Sequence, residues 1–274
     1  MRWTAHLQLH YTRDGDRTLA LDRHEGPLRV LRRLYPEGPG ICHHVVVHPP
    51  GGIVAGDVLK IDARLEAGTH ALVTTPGAAR FYRSEGAEAL QQVQLQLAGD
   101  ARLEWLPMET IAYRGCNAQN RLTLDLAPEA QCLGWDLLAL GLPAGGELFE
   151  HGRVQQHLEL PGRWLERGAV RGDDTLLLDS PLGWAGHRVL STLWFAAGSA
   201  WPTLQRDALL DAARAAITAS GLAAGVTAAH PQVLVLRVLT PQVEPAMQLL
   251  KAVRGAWRQA AWGLAPEPPR IWRT

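Results

Sequence analysis

Short apolar runs alternate with polar residues from the first residues of the chain to about residue 195, each run closed by turn chemistry. This period of two restricts the chain to a fold built from many half-buried strands. Trp3, Ala5, Leu7, Leu9 and Tyr11 alternate with Thr4, His6, Gln8 and His10. Asp14-Gly15-Asp16 turns the chain, and further strands are expected over 18–21, 28–34, 41–47, 58–65 and 70–75. Val93, Leu95 and Leu97 alternate with glutamines, Ala98-Gly99-Asp100 turns into 101–105, and Leu122, Leu124 and Leu126 follow. Leu133, Trp135 and Leu137 continue, and 154–160 follows a Gly-rich loop. The 27 glycines and 18 prolines exceed the usual shares of roughly 7% and 5%, as many short strands and turns require. Strand does not alternate with helix, so the pattern predicts a large antiparallel sandwich, barrel or stacked-sheet fold and excludes a Rossmann sheet.

Near Trp201-Pro202 the composition changes. Thr203 is placed to cap a helix over 204–219 that Ser220-Gly221 ends. A strand is expected over 233–239, and Thr240-Pro241 offers the start of a second helix over 246–262. Lys251, Arg254 and Arg258 give that helix a basic side. The organisation expected is a β-rich body over 1–200 and a helix-strand-helix segment over 201–274 packed on the same domain.

Charge and cysteine content narrow the function classes. Lys plus Arg equals Asp plus Glu at 27 each, so bulk electrostatics favours neither nucleic acid nor a membrane surface. Three cysteines without a C-x-x-C spacing argue against a disulfide framework and for a reducing, cytoplasmic compartment. Met1-Arg2-Trp3-Thr4 opens no apolar leader core. No uncharged apolar run approaches the ~20 residues of a membrane span. Ten tryptophans against three phenylalanines point to aromatic packing, with some as interface anchors.

The loop His48-Pro49-Pro50-Gly51-Gly52-Ile53-Val54-Ala55-Gly56-Asp57 separates two of these strands and demands a sharp turn with little side-chain bulk. Gly51 and Gly56 have the glycine spacing of a phosphate loop, but Asp57 and Val58 stand where Lys and Ser or Thr are needed, and no helix follows. Nucleotide binding is excluded there. Eleven histidines invite a metal site, yet His6 and His10, like His44 and His48, lie four strand residues apart, roughly 13 Å, and cannot share one ion. Glu104 with Glu109, and Glu147 with Glu150, are acid pairs available to proton transfer, but no G-x-S-x-G elbow accompanies them. In Thr74-Thr75-Pro76-Gly77-Ala78-Ala79-Arg80-Phe81-Tyr82-Arg83-Ser84 a strand ends in two hydroxyls, and a turn presents Arg80, Tyr82 and Arg83, residue types suited to an interface or to water.

Taken together, three blocks carry a resemblance: His48-Pro49-Pro50-Gly51-Gly52 with Gly56-Asp57; Thr74-Thr75-Pro76-Gly77 with Arg80 and Phe81-Tyr82-Arg83-Ser84; and Glu104-Trp105-Leu106-Pro107 with Glu109. Their order and spacing resemble the urease accessory proteins of the UreD type, also called UreH. Gly141-Leu142-Pro143-Ala144-Gly145-Gly146-Glu147 and Pro269-Arg270-Ile271-Trp272 are similar to further family blocks. Ala55, Met108 and Leu142 depart from residues frequent in the family. The resemblance implies stacked sheets in a helical, β-helix-like arrangement with helices towards the C-terminus. It implies a non-enzymatic scaffold that joins a helical accessory protein of the UreF type and a GTPase of the UreG type. That complex docks on urease apoprotein and inserts nickel. No cofactor is held tightly; nickel passes through the protein in transit. Oxygen ligands suit such transit because they are readily replaced; Asp57, Glu104, Glu109 and Glu147 are the candidates for the path. Arg254, Arg258 and Trp272 are the candidates for partner contact.

Two other classes remain open from the residues alone. A β-sheet hydrolase with a composite His and carboxylate metal site would turn over substrate by itself. A tryptophan-rich carbohydrate- or protein-binding module would show a cleft lined by exposed Trp.

Overall fold

The computed structural model describes residues 3–84 and 86–273, the side chains at 144 and 273 excepted. Met1 and Arg2, part of the opening considered for a leader, lie outside them. The chain begins with β1 (Thr4–Asp14), β2 (Arg17–Glu25) and β3 (Arg29–Val30). The body continues through β4 (Ile41–Val47), β5 (Val58–Leu65), β6 (His70–Thr74), β7 (Ala79–Phe81), β8 (Ala89–Leu97), β9 (Arg102–Leu106), β10 (Thr110–Ala112), β11 (Asn117–Leu126), β12 (Gln131–Leu140) and β13 (Arg153–Leu160). Then come β14 (Trp164–Arg171), the short helix α1 (Thr175–Asp179), β15 (Val189–Ala197), α2 (Thr203–Ser220), β16 (Ala223–His230), β17 (Val233–Thr240) and α3 (Val243–Trp262).

Successive long strands fall alternately into two sheets. β5, β8, β11 and β13 enter a seven-stranded sheet of order β14-β13-β11-β8-β5-β1-β2. β4, β6, β9 and β12 enter a ten-stranded sheet whose main path runs β16-β17-β15-β12-β9-β6-β4-β3. The chain is thus mainly β, wound as a coil with one strand per sheet in each turn. The strand direction differs from the antiparallel expectation. Pairs such as β5–β8, β8–β11, β4–β6 and β6–β9 are parallel, because the chain re-enters a sheet only after a full turn of the coil. Antiparallel pairs are confined to the flanks, at β1–β2, β3–β4, β13–β14 and the β12-β15-β17-β16 run. Glu66-Ala67-Gly68 and its counterparts are corners between sheets; turn residues bend a chain in the same way at a corner and at a hairpin.

Burial follows from this winding. The inner face of the seven-stranded sheet, with Leu7, Leu9, Ile61, Val93, Leu95, Leu122 and Leu124, shares one core with Cys42, Val73, Leu103, Cys132 and Leu138 of the ten-stranded sheet. The outer face of the seven-stranded sheet carries exposed or half-buried Gln92, Gln94 and Gln96, so its strands keep the alternation. β12 is covered on both sides, by the other sheet and by the helices, and is nearly continuous in apolar residues. A second core of Trp135, Leu137, Leu193, Phe195, Leu234, Leu236, Leu250 and Trp257 joins the ten-stranded sheet to α2 and α3. Residues 201–274 add β16 and β17 to that sheet by way of β15.

Local details differ from expectation at element ends. Over 28–34 only Arg29–Val30 is strand, and β16, rich in Ala and Gly, is a strand that the apolar pattern does not announce. Thr203 is the first residue of α2 rather than its cap, which is Pro202, while Gly221 ends the helix in the left-handed region. α3 starts at Val243 after a Gln242 cap. Eight of the ten tryptophans are buried, leaving Trp3 exposed and Trp272 half-buried, so no cleft is lined by exposed Trp among the described residues. The three cysteines are free and buried, and burial raises the Cys116 and Cys132 thiols to about 12. No helix among the described residues is long and apolar enough to cross a membrane.

Candidate functional site

The coil brings the three distant sequence blocks to one end of the sheet stack. Ile53 in the Pro/Gly loop donates its N–H to the Arg80 carbonyl at 2.7 Å, and Tyr82 returns a bond to the Ile53 carbonyl at 2.9 Å. The Ala79 N–H reaches the Glu109 carbonyl at 2.9 Å. Thr75 Oγ1 accepts from the Met108 N–H at 2.9 Å, and Thr74 Oγ1 donates to the Leu106 carbonyl at 2.6 Å. Gly51 and Gly56 have φ of 78° and 80°, so both turns of the loop need the left-handed region. Gly52 answers a different need: a Cβ there would lie 2.0 Å from Tyr82 Cε2. Gly52→Ala is expected to displace the Tyr82 ring, which packs 4.8 Å from Tyr113, and to destabilise the chain by ~1–3 kcal/mol, read as a lower urea midpoint with unchanged slope.

These loops form the mouth of a cavity of about 290 Å³ between the two sheets. His48, Pro49, Thr75, Arg80, Pro107 and Met108 line it near the surface, and Ile53, Ile61, Val93, Trp105 and Leu122 form apolar walls. Burial lowers the His48 pKa against the opposing pull of Asp57, so the ring at the mouth is neutral at pH 7. Part of the lining is polar, with Gln91 from β8, Asn120 from β11 and Asp136 from β12.

Asp136 is 6% exposed. Gln156 Nε2 donates to both carboxylate oxygens at 3.0 and 3.1 Å, and Asn120 Nδ2 reaches Oδ2 at 3.2 Å. Gln91 Nε2 in turn donates to Asn120 Oδ1 at 3.3 Å. No ion pair of Asp136 with a basic side chain occurs among the described residues. Desolvation therefore dominates, with Glu166 adding repulsion, and the carboxyl is pushed up to about 6 despite the two amides. The site is one buried carboxylate in the wall of a largely apolar cavity, bonded by side-chain amides and without a basic partner among the described residues. Rotating the Asn120 and Gln156 amides would turn oxygens in place of N–H groups towards a cation. Among the described residues no group of three or more His, Cys, Asp or Glu could hold a metal ion.

The carboxylates singled out from sequence lie outside the lining of this cavity. Asp57 is buried and its carboxylate closes the loop, accepting from the Trp3 N–H at 3.0 Å and the Val54 N–H at 3.1 Å. Glu147 is exposed in a turn whose backbone pairs with Leu142; Ala144 of that block has its side chain outside the described residues. Glu109 is half-buried beside Lys251, on the α3 side of the sheet. Glu104 is fully buried away from the cavity. Its Oε2 accepts from Arg254 Nε at 2.7 Å, Arg258 Nη1 lies 3.0 Å from Oε1, and His70 Nε2 lies 3.6 Å from Oε1. Burial opposes its ionisation, but Arg254, His70 and Arg258 outweigh that and hold the carboxyl at about 2. Glu104 is thus saturated by cations and is not free to take another.

The same cluster holds Arg254 and Arg258, two of the three residues named for partner contact. Arg254 and Arg258 are 1% and 0% exposed. The basic stripe of α3 faces inward because Glu104 and Glu37 meet it there; Arg258 pairs with both, and His43 Nε2 reaches Glu37 Oε1 at 2.8 Å. Trp272 folds back on the body, its ring 5.2 Å from Trp135 and its Nε1 donating to Thr74 Oγ1 at 2.9 Å. His6, His10 and His157 pair separately with Asp62, Glu66 and Glu159, so the described histidines do not assemble a composite metal site.

Asp136, the residue at the centre of the site, is absent from the set chosen by motif. A signal for it exists. Leu122, Leu124 and Leu126 face inward, so period two places Asn120 inward as well, and Val93, Leu95 and Leu97 do the same for Gln91. Asp136 is the only charged residue of an otherwise buried strand.

Comparison with known proteins agrees with this architecture. The profile of the family described as UreD urease accessory protein matches residues 4–273. The urease accessory protein UreD of Leptothrix cholodnii is 62% identical over 278 residues, covering 100% of both chains. That of Paracidovorax citrulli is 59% identical over 274 residues, covering 99% of both, and that of Variovorax paradoxus is 54% identical over the full length of both. By a profile match over nearly its whole length and by relatives of this identity, the chain belongs to the family of UreD urease accessory proteins.

Proposed function

We propose that this chain is a urease maturation factor that carries nickel through its interior, from the mouth formed by the three sequence blocks to Asp136. The observation that carries this reading is a buried carboxylate that lines the cavity without a basic partner among the described residues. A divalent cation is the species that such a carboxylate lacks, and nickel is the metal that urease maturation requires. The chain acts as a scaffold and not as a catalyst. It joins a helical accessory protein of the UreF type and a GTPase of the UreG type in the cytoplasm, and the assembly docks on urease apoprotein. GTP hydrolysis belongs to the partner; the Pro/Gly loop here is occupied in bonding to the 80–82 block and cradles no phosphate. The structural candidates for the path become His48 at the mouth and Asp136 with Asn120 and Gln156 within. Neither membrane nor nucleic acid takes part.

The test is to produce the urease structural subunits with the other accessory proteins, with and without this chain. Urease activity and bound nickel are expected to fall at least tenfold in its absence. Equal activation in both would overturn the reading.

A further inference from the structure

The polar row does not stop at Asp136. The register of β12, β15 and β17 sets Asp136 opposite Thr192, and Thr192 opposite Arg237, on strands spaced about 4.8 Å apart. The next position, on β16, is Gly225, exposed and with no atom within 4 Å of where a Cβ would stand. From the facing sheet, Glu166 on its terminal strand β14 reaches across to this row. Glu166 Oε1 accepts from Thr192 Oγ1 at 3.4 Å and from Arg237 Nε at 2.8 Å, and Oε2 accepts from Arg237 Nη2 at 2.6 Å. Thr192 is buried; the Glu166 side chain is 20% and that of Arg237 52% exposed. A bidentate ion pair therefore joins the two sheets at their lateral edge, between the buried carboxylate and solvent.

We propose that the Glu166–Arg237 pair is a cation-operated gate at the far end of the interior route. This rests on the reading that nickel reaches Asp136 through the cavity. With the pair closed, the guanidinium neutralises Glu166 and occupies both of its oxygens, so the exit offers a cation no free carboxylate. A divalent cation at Asp136 competes for Glu166 with twice the charge of the guanidinium. Arg237, half in water already, swings out at little cost because an exposed pair of this kind is only weakly stabilising. Glu166 and the Thr192 hydroxyl then become the next oxygen contacts, and Gly225 leaves the edge unobstructed. The cation moves by exchange of oxygen contacts, and no covalent bond forms or breaks.

The test uses the purified full-length chain loaded with nickel sulfate and mixed with a chromophoric chelator. Arg237→Gln is expected to keep the loaded stoichiometry and to release nickel up to about fivefold faster, the scale of removing one exposed ion pair. Arg237→Lys, which keeps the charge but not the two-pronged contact, should fall between wild type and Arg237→Gln. Glu166→Gln should release faster and also load less. Unfolding midpoints of the Arg237 variants close to that of wild type exclude a folding defect as the cause. If Arg237→Gln releases nickel at the wild-type rate while Asp136→Asn abolishes loading, the gate is overturned and the interior route stands. If Asp136→Asn loads like wild type, or the wild-type chain takes up no nickel, the route itself is overturned.

Discussion

Glu104→Ala is expected to cost about 3–5 kcal/mol of folding stability, a large share of what a chain of this kind possesses. Glu104 sits on β9 beneath α3, with Arg254 and Arg258 both fully buried against it. Removing the carboxylate leaves two guanidinium groups in the core, with only Glu37 to balance them, and Arg258 alone reaches it. The His70 ring, whose pKa burial already lowers against the pull of Glu104, loses its one acid partner. Replacing one partner of a buried pair is the costly direction, because the other charge stays desolvated and unpaired. Glu104→Gln should fall between wild type and Ala, since it keeps shape and one acceptor but no charge. Loss of soluble protein, or a fall in urea midpoint beyond that of Gly52→Ala, would register the effect. The pH dependence has a defined sign. The folded-state pKa of about 2 lies below the ordinary 4.5, so this stabilisation is complete above about pH 4.5 and is lost as pH falls towards 2.

The sequence made the strands legible and left their partners hidden, for a physical reason. Alternation reports which side of a strand is buried, and it placed 41–47 and 58–65 at the bounds observed for β4 and β5. It does not report which sheet a strand enters. A Glu-Ala-Gly corner and a hairpin turn have the same composition, so a coil with parallel ladders was read as antiparallel. The α3 stripe shows the same limit: Lys251, Arg254 and Arg258 share one side of a helix, and charge on a helix side ordinarily marks solvent. Only the acid waiting on β9 turns that side inward. The motif blocks located the mouth of the site, because Pro and Gly mark crowded backbone. They did not locate its interior, because Asp136, Asn120 and Gln91 come from three strands that only the winding brings together. Extending the alternation of β8 and β11 by one step finds two of the three.

Asp136→Asn is expected to separate stability from function and to move them in opposite directions. With the folded-state pKa at about 6 against an ordinary 3.8, the native state binds more protons than the unfolded chain between these values. Stability therefore falls as pH rises from about 4 to about 6, and the full penalty, ~3 kcal/mol on the linkage scale, is present above pH 6. Asparagine carries no charge and keeps an acceptor for one of the two amides, at the expense of the other. Its net gain above pH 6 should be about 1–2 kcal/mol, and the pH dependence of the unfolding midpoint between pH 4 and 6 should flatten. Below pH 4 wild type and variant should converge. Over the same series, nickel content and activity of co-produced urease should drop at least tenfold. A cation that meets a neutral amide here gains no charge neutralisation, and with Glu104 locked by arginines and Asp57 locked in its loop no other buried carboxylate lines the cavity to replace it. A variant that is both more stable at pH 8 and unable to mature urease marks a group kept for its charge in spite of its cost. A variant that matures urease normally would make Asp136 a tolerated defect of the core and remove the interior route. The contrast with Glu104 is the decisive one: both are buried carboxylates, but Glu104 meets two arginines and stabilises the fold, whereas Asp136 meets only amides, and this series tests whether its charge serves a passing cation.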